Sequence, residues 1–171
     1  MRSLLEMKHF KIGFAAQGIV LLVEESVRKI WSEHRQKSSF ATEACGILMA
    51  TVDTDTSRIW LEKATMPSKA DRRTRFTFKM AGKNHEKHLR REAKNSKGRI
   101  RLLGTWHTHP ENDPTPSKAD LKDWRKLQKT NPQFQEFCFV IVGLKKTTAY
   151  LYTRKKIIKM KFIEFKSESN Q

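Results

Sequence analysis

Apolar positions along this chain follow two rhythms, one of period two and one of period 3.6, and the switches between them predict its elements. Short apolar runs at residues 18–23, 42–50, 58–64, 100–108, 136–142 and 147–153 read as strands. A further run at 157–165 is expected to close an antiparallel pair with 147–153, the basic Arg154-Lys155-Lys156 forming the turn between them. Three stretches read as amphipathic helices. Residues 24–35 place Val27, Ile30 and Trp31 on one face, with Glu24 and Glu25 in the first turn where the helix dipole favours acids. Residues 79–95 are rich in Lys, Arg and Glu, and a third helix runs from Ser117 through Gln128. Before residue 18 the pattern is weak and predicts one short edge strand. Residues 67–78 are basic and irregular, with Phe76 and Phe78 on one side of a short strand. Strands and helices interleave, which predicts an α/β fold with a mixed, curved sheet flanked by helices. The expectation is a single domain over residues 1–171, with its core at about 18–165 and a loose tail at 166–171.

Composition narrows the class. The 171 residues suffice to bury a core without staples. The sequence contains no run of eighteen apolar residues, so no membrane span is expected, and the apolar stretch in residues 1–8 is too short for a secretory signal. Cys45 and Cys138 both lie inside apolar runs and read as buried thiols suited to a reducing, cytoplasmic setting. Two cysteines are too few for a Cys-rich zinc finger or a Cys-x-x-Cys deaminase site. The formal net charge of +17, from 35 Lys and Arg against 18 Asp and Glu, favours an acidic partner. Its spread along the chain, without an aromatic-and-basic ladder, makes nucleic acid an unexpected partner. A nucleic-acid-binding or DNA-repair-associated scaffold is the alternative that the charge alone motivates, and steep loss of affinity with salt would distinguish it.

Candidate chemistry centres on Gly104-Thr105-Trp106-His107-Thr108-His109-Pro110. Side chains on a strand repeat with period two, so His107 and His109 share a side and can grip one ion, while Pro110 ends the strand. Ser117-x-x-Asp120 then opens a helix, whose geometry aims Asp120 back toward the preceding turn. Two imidazoles and one carboxylate form the ligand set of a catalytic rather than a structural zinc site. Taken singly, Ser-x-x-Asp also reads as a helix cap, and His-x-His as a pair of surface or hydrogen-bonded histidines. Glu43 stands at the entrance of an apolar strand, where it is either solvated at the strand's mouth or working as a base for bound water. His85-Glu86-Lys87-His88 comes close to the His-Glu-x-x-His signature but is one residue short, and is rejected as a metal site.

Together, Glu43, His107-x-His109-Pro110 and Ser117-x-x-Asp120 resemble the JAMM motif of the JAB/MPN metallopeptidases, which include deubiquitinating isopeptidases. The likeness covers about residues 20–142. In size and overall similarity the chain resembles the short bacterial JAB proteins of the anti-phage systems called CBASS, encoded beside a ubiquitin-activating and -conjugating-like protein and a cGAS-like nucleotidyltransferase. The resemblance implies that His107, His109 and Asp120 hold one zinc with water in the fourth place. It further implies that Glu43 is the general base and later proton donor, and that Ser117 hydrogen-bonds the polarised carbonyl oxygen. The implied activity is isopeptide hydrolysis after the C-terminal tail of a conjugated protein. In the CBASS reading that protein is the nucleotidyltransferase, removed from its targets. Little room remains for the long insertions with which larger relatives grip ubiquitin.

Overall fold

The computed structural model describes residues 9–165. The expectations for residues 1–8 and for the tail at 166–171 therefore lie outside the described residues. Eleven strands and three helices follow in the order β1 (Ile12–Ala16), β2 (Ile19–Val23), α1 (Glu25–Glu33), β3 (Cys45–Asp53), β4 (Arg58–Ala64), β5 (Arg72–Arg73), β6 (Phe78–Lys79), α2 (Gly82–Asn95), β7 (Arg101–Thr108), α3 (Lys118–Thr130), β8 (Phe137–Val142), β9 (Thr147–Thr153), β10 (Lys156–Lys159) and β11 (Lys161–Glu164). Nine strands form one sheet in the order β10-β9-β8-β7-β3-β4-β2-β1-β11, and β5 with β6 forms a separate small hairpin. The sheet is mixed, as expected, because β2 pairs parallel to β4 and β7 parallel to β8. Among the described residues no helix is long and apolar enough to cross a membrane.

Two expectations about strands are corrected. The run at 157–165 is not one strand but two. β10 pairs antiparallel with β9, then Met160 turns the chain, and β11 pairs with β1 at the opposite end of the sheet. The backbone N–H of Met160 donates to Ala149 O as the chain changes partner. The strand before residue 18 is likewise not an edge, since β1 lies between β2 and β11. Both corrections have one cause: by spanning from β9 to β1 the final segment curls the sheet nearly into a barrel and pairs strands that would otherwise present open edges. Gln17 and Gly18, with φ of 51° and 77°, make the two-residue turn between β1 and β2, a left-handed conformation that glycine takes without strain.

The curled sheet surrounds the main core, built from Phe14, Leu21, Leu48, Leu61, Leu103, Trp106, Val140 and Leu151 among others. Helix α1 contributes Val27 and Trp31 to it, the face that its periodicity marks. Helix α3 covers the other side of β8 and β9 with Trp124, stacked at 4.6 Å and 6° on Phe139. Helix α2 lies over β3 and β7, where Leu89 packs against Ile47, Met49 and Ile100. In β7, Gly104 lies so close to β8 that an added Cβ would sit 1.9 Å from Cys138 O. That approach brings the two parallel strands together just below the end of β7, where both candidate ligand histidines emerge.

Candidate metal centre

β7 delivers the two histidines because each flank of its end is fixed. His107 pairs with Cys45 on β3 and with Ile141 on β8, and the backbone N–H of His109 donates to Val142 O. Thr108, between them, points the other way: its Oγ1 accepts from Ala44 N at 2.8 Å and donates to Gln36 Oε1 at 3.0 Å. Pro110 follows, and the loop through Pro116 leads to the start of α3. There Ser117 caps the helix. Its Oγ accepts from Asp120 N at 3.1 Å, while Asp120 Oδ2 accepts from Ser117 N at 2.6 Å. The cap does not exclude a ligand role, because Asp120 keeps Oδ1 directed at His107.

The three donor atoms converge. His107 Nε2 lies 3.0 Å from His109 Nε2 and 3.2 Å from Asp120 Oδ1, and His109 Nε2 lies 3.5 Å from Asp120 Oδ2. Ligands of a tetrahedral zinc with bonds of about 2.0–2.1 Å stand about 3.3 Å apart; the separations here are of that size, the two to Asp120 running to different carboxylate oxygens, and one ligand atom from each residue lies within 4.8 Å of the others. The chemistry of the set agrees. Two Nε2 atoms facing each other at 3.0 Å cannot both carry a proton, and His109 Nδ1 is buried without a hydrogen bond, with Glu111 Oε1 3.6 Å away. A carboxylate facing the far nitrogen of a ligand histidine is the usual outer support of a metal site. Among the described residues these three form the metal-capable group.

Glu43 sits beside the triangle, its Oε1 3.8 Å from His109 Nε2. It is only 3% exposed, so the solvated reading of this residue does not hold. Its backbone N–H donates to Thr74 O at 2.7 Å and its carbonyl accepts from Arg73 Nη1, which ties it to the β5–β6 hairpin just before β3 begins. Burial is the main reason that its carboxyl is raised to about 7; the charges of Asp120 and Glu111 add to this and His109 opposes it. Burial also dominates at His107 and lowers it despite the bond to Asp120. At His109 burial is outweighed by Asp120, Glu43 and Glu111, and the ring is raised. Burial pushes Asp120 up, but its bonds to His107 and His109 win and hold it far below the carboxylate range.

An open cleft of about 350 Å³ lies over the cluster, lined by Glu43, Phe76, Thr77, Phe78, His109 and Ser117 among others. The sequence singled out Glu43, His107, His109, Ser117 and Asp120, and the fold brings all five to this cleft or its floor. Sequence reasoning missed the roles of Glu111 and of the hairpin. Phe78 lies against His107 with ring centroids 5.1 Å apart. Gln36, outside every element predicted from the sequence, is buried and joins Thr108 to the hairpin by donating to Arg75 O at 2.8 Å. The aromatic pair Phe76 and Phe78 was the available signal for the hairpin, and the proximity of Gln36 had none. His85, from the rejected near-signature, is hydrogen-bonded inside the fold, and His88 is exposed.

A strand end presenting His-x-His to an aspartate at a helix start, within a curled mixed sheet, defines the scaffold of the JAB class. The chain belongs to the family described as "Prokaryotic homologs of the JAB domain", whose profile matches residues 24–155. It is similar to a protein of Pseudomonas aeruginosa (strain BWHPSA011 / Pa011) named "CD-NTase/cGAS isopeptidase", 34% identical over 124 residues that cover 72% of this chain and 77% of that one. Proteins of the same name from Escherichia coli (strain TW11681) and Vibrio cholerae serotype O1 are 30% and 28% identical. Those matches cover 61% and 63% of this chain and 65% and 67% of the respective relatives. The solution structure of protein DSY2949 from Desulfitobacterium hafniense shares the fold, with a TM-score of 0.57 at 20% identity over 86% of this chain and 92% of that one.

Proposed function

We propose that this protein is a zinc-dependent isopeptidase that cleaves after the C-terminal tail of a conjugated protein. The observation that carries the reading is the convergence of His107, His109 and Asp120, with buried Glu43 beside them, at the floor of an open cleft. The two histidines through Nε2 and Asp120 through a carboxylate oxygen would hold the ion. Zinc in such a set supplies Lewis acidity toward an amide carbonyl and lowers the pKa of water to about 7. Glu43, outside the ligand triangle but adjoining it, is assigned to taking a proton from the attacking water and returning it to the leaving amine. Ser117 Oγ accepts from Asp120 N, which leaves its own hydrogen to donate to the carbonyl oxygen as negative charge develops there.

The cleft's shape supports the choice of substrate. It is open rather than closed, so an extended tail can lie along it while a folded segment cannot bring its backbone to the floor. Exposed Phe76 on its wall, at 69%, and exposed Phe40, at 92%, stand on two loops joined by Arg75, which donates to Ser38 O and Ser39 O. These two rings are assigned to the body of the conjugated protein, outside the cut tail. The name shared by the three relatives, with the resemblance to the CBASS proteins, supports a cGAS-like nucleotidyltransferase as the conjugated protein.

The experiment is direct. A reporter is fused to the C-terminus of a cGAS-like nucleotidyltransferase, and the products are mapped by mass spectrometry. The expected result is a zinc-dependent cut at the junction, absent in Glu43→Ala and Asp120→Ala. Cleavage in the interior of either partner overturns the reading.

A further inference from the structure

A histidine that binds an ion through Nε2 carries its proton on Nδ1, where it becomes a donor. In His109 that nitrogen is buried and has no hydrogen bond. Buried polar groups are normally answered, so an orphan on a candidate ligand points to an acceptor that completes the site.

Glu111 follows His109 by two residues, and the fold places it from both ends. Past the end of β7 the chain stays bonded to the segment after β8: His109 N donates to Val142 O at 3.1 Å, Leu144 N to Glu111 O at 2.6 Å and Lys146 N to Asn112 O at 2.9 Å. Gly143 permits this approach, since an added Cβ there would sit 2.5 Å from Glu111 O. Arg35, just beyond α1, holds the same turn by donating to Gly143 O. At the other end of the side chain, Oε2 accepts from Thr115 N at 3.4 Å, while Oε1 faces His109 Nδ1 at 3.6 Å. That gap is a few tenths of an ångström longer than a hydrogen bond, and the half-exposed side chain has room to rotate and close it. Because Glu111 meets the far nitrogen, it stands behind the ring and outside the triangle of His107, His109 and Asp120.

We propose that Glu111 is a positioning residue: it accepts the Nδ1–H of His109, fixes the ring in the tautomer that turns the Nε2 lone pair toward the ion, and thereby sets how tightly the site holds zinc. This inference rests on the reading of the three side chains as a zinc site, and is independent of which bond the enzyme cuts.

The test is zinc affinity of the full chain, read by competition with a chromophoric chelator. Glu111→Ala should weaken it by about tenfold to a hundredfold. Glu111→Gln, whose side-chain oxygen still accepts the N–H, should recover most of that loss. In ¹H–¹⁵N spectra of the zinc-loaded chain, the His109 Nδ1–H proton should lie far downfield in the wild type and move upfield in Glu111→Ala. Two controls separate this role from a structural one. Metal-free Glu111→Ala should unfold close to the wild-type denaturant midpoint, because the backbone bonds that pin the loop do not involve the carboxylate. Asp113→Ala, which removes the neighbouring loop carboxylate paired with Lys146 and Lys159, should keep wild-type zinc affinity. The proposal is overturned if Glu111→Ala binds zinc within about twofold of the wild type, if Asp113→Ala loses as much, or if metal-free Glu111→Ala already unfolds at markedly lower denaturant. A wild type that takes up no zinc overturns the metal-centre reading and this inference with it, so the wild-type measurement tells the two failures apart.

Discussion

Two clusters, each built around a buried His–Asp pair, lie on either side of the start of β3, and they behave in opposite ways. One is His107, His109 and Asp120 with Glu43; the other is His85 and Asp71 with Thr65 and Cys45. In the second cluster every polar valence is answered from within. Thr65 Oγ1 accepts from Ile47 N at 2.9 Å and gives its hydrogen to His85 Nδ1 at 2.6 Å, which leaves the Nε2–H for Asp71 at 3.3 Å. Asp71 also accepts from Ser68 N at 2.6 Å and Ala81 N at 2.7 Å, and the side chains of His85 and Asp71 are 3% and 0% exposed. In the first cluster two imidazole nitrogens face each other and a third ring nitrogen has no hydrogen bond. A buried His-Asp pair is therefore a clamp when its donors and acceptors match and a metal centre when its lone pairs converge unanswered. Here the clamp pins the segment that carries the β5–β6 hairpin over the metal cleft.

The largest test of this contrast is metal content. Purified wild type should carry about one zinc per chain, and His107→Ala together with His109→Ala should carry none and lose turnover by more than about a thousandfold. His85→Ala should keep its zinc, and elemental analysis showing that it loses the ion as fully would erase the distinction. Next is Glu43→Ala, which should retain the metal while turnover falls by about a hundredfold to ten-thousandfold; metal loss there would make Glu43 a ligand rather than a base.

On the clamp side, Asp71→Ala should cost about 3 kcal/mol or more in denaturant unfolding, because it strands the His85 N–H and two backbone N–H groups at about 1–3 kcal/mol each. Asp120→Ala in metal-free protein should cost less, since the Ser117 N–H that it releases lies at an exposed helix start where water can replace the carboxylate. Acid sharpens the contrast further. Burial pushes Asp71 up, but the N–H groups of Ala81 and Ser68 and the His85 bond hold its pKa below the usual value. A carboxylate depressed in the folded state contributes its stability above the unfolded pKa of about 3.9 and loses it as pH falls through the lower folded value. Unfolding free energy should therefore drop more steeply below about pH 4 in wild type than in Asp71→Asn. The smallest effect is Thr65→Val, expected to cost about 1–2 kcal/mol through the unanswered Ile47 N–H while zinc content is unchanged.

The convergence of the candidate ligands was legible because their spacing is local. Period two puts His107 and His109 on one side of β7, and the same Ser117-x-x-Asp120 that caps α3 turns Asp120 toward them. Glu43 could be singled out as an acid beside an apolar run, but its burial depends on the hairpin that covers it and is contributed by residues 30 positions away. The clamp was not legible at all. Thr65, Asp71 and His85 are spread over three irregular or exposed-looking stretches, and no periodicity relates them.

What the sequence determined by itself is whatever depends on neighbours along the chain: the strand and helix faces, the helix cap and the paired histidines. What only the tertiary structure decided is which strands become partners. The run at 157–165 reads as one strand, because side-chain period carries no record of the strand alongside. The switch at Met160 follows from closing the sheet, where pairing β11 with β1 satisfies backbone groups that a single longer strand would have left at an open edge.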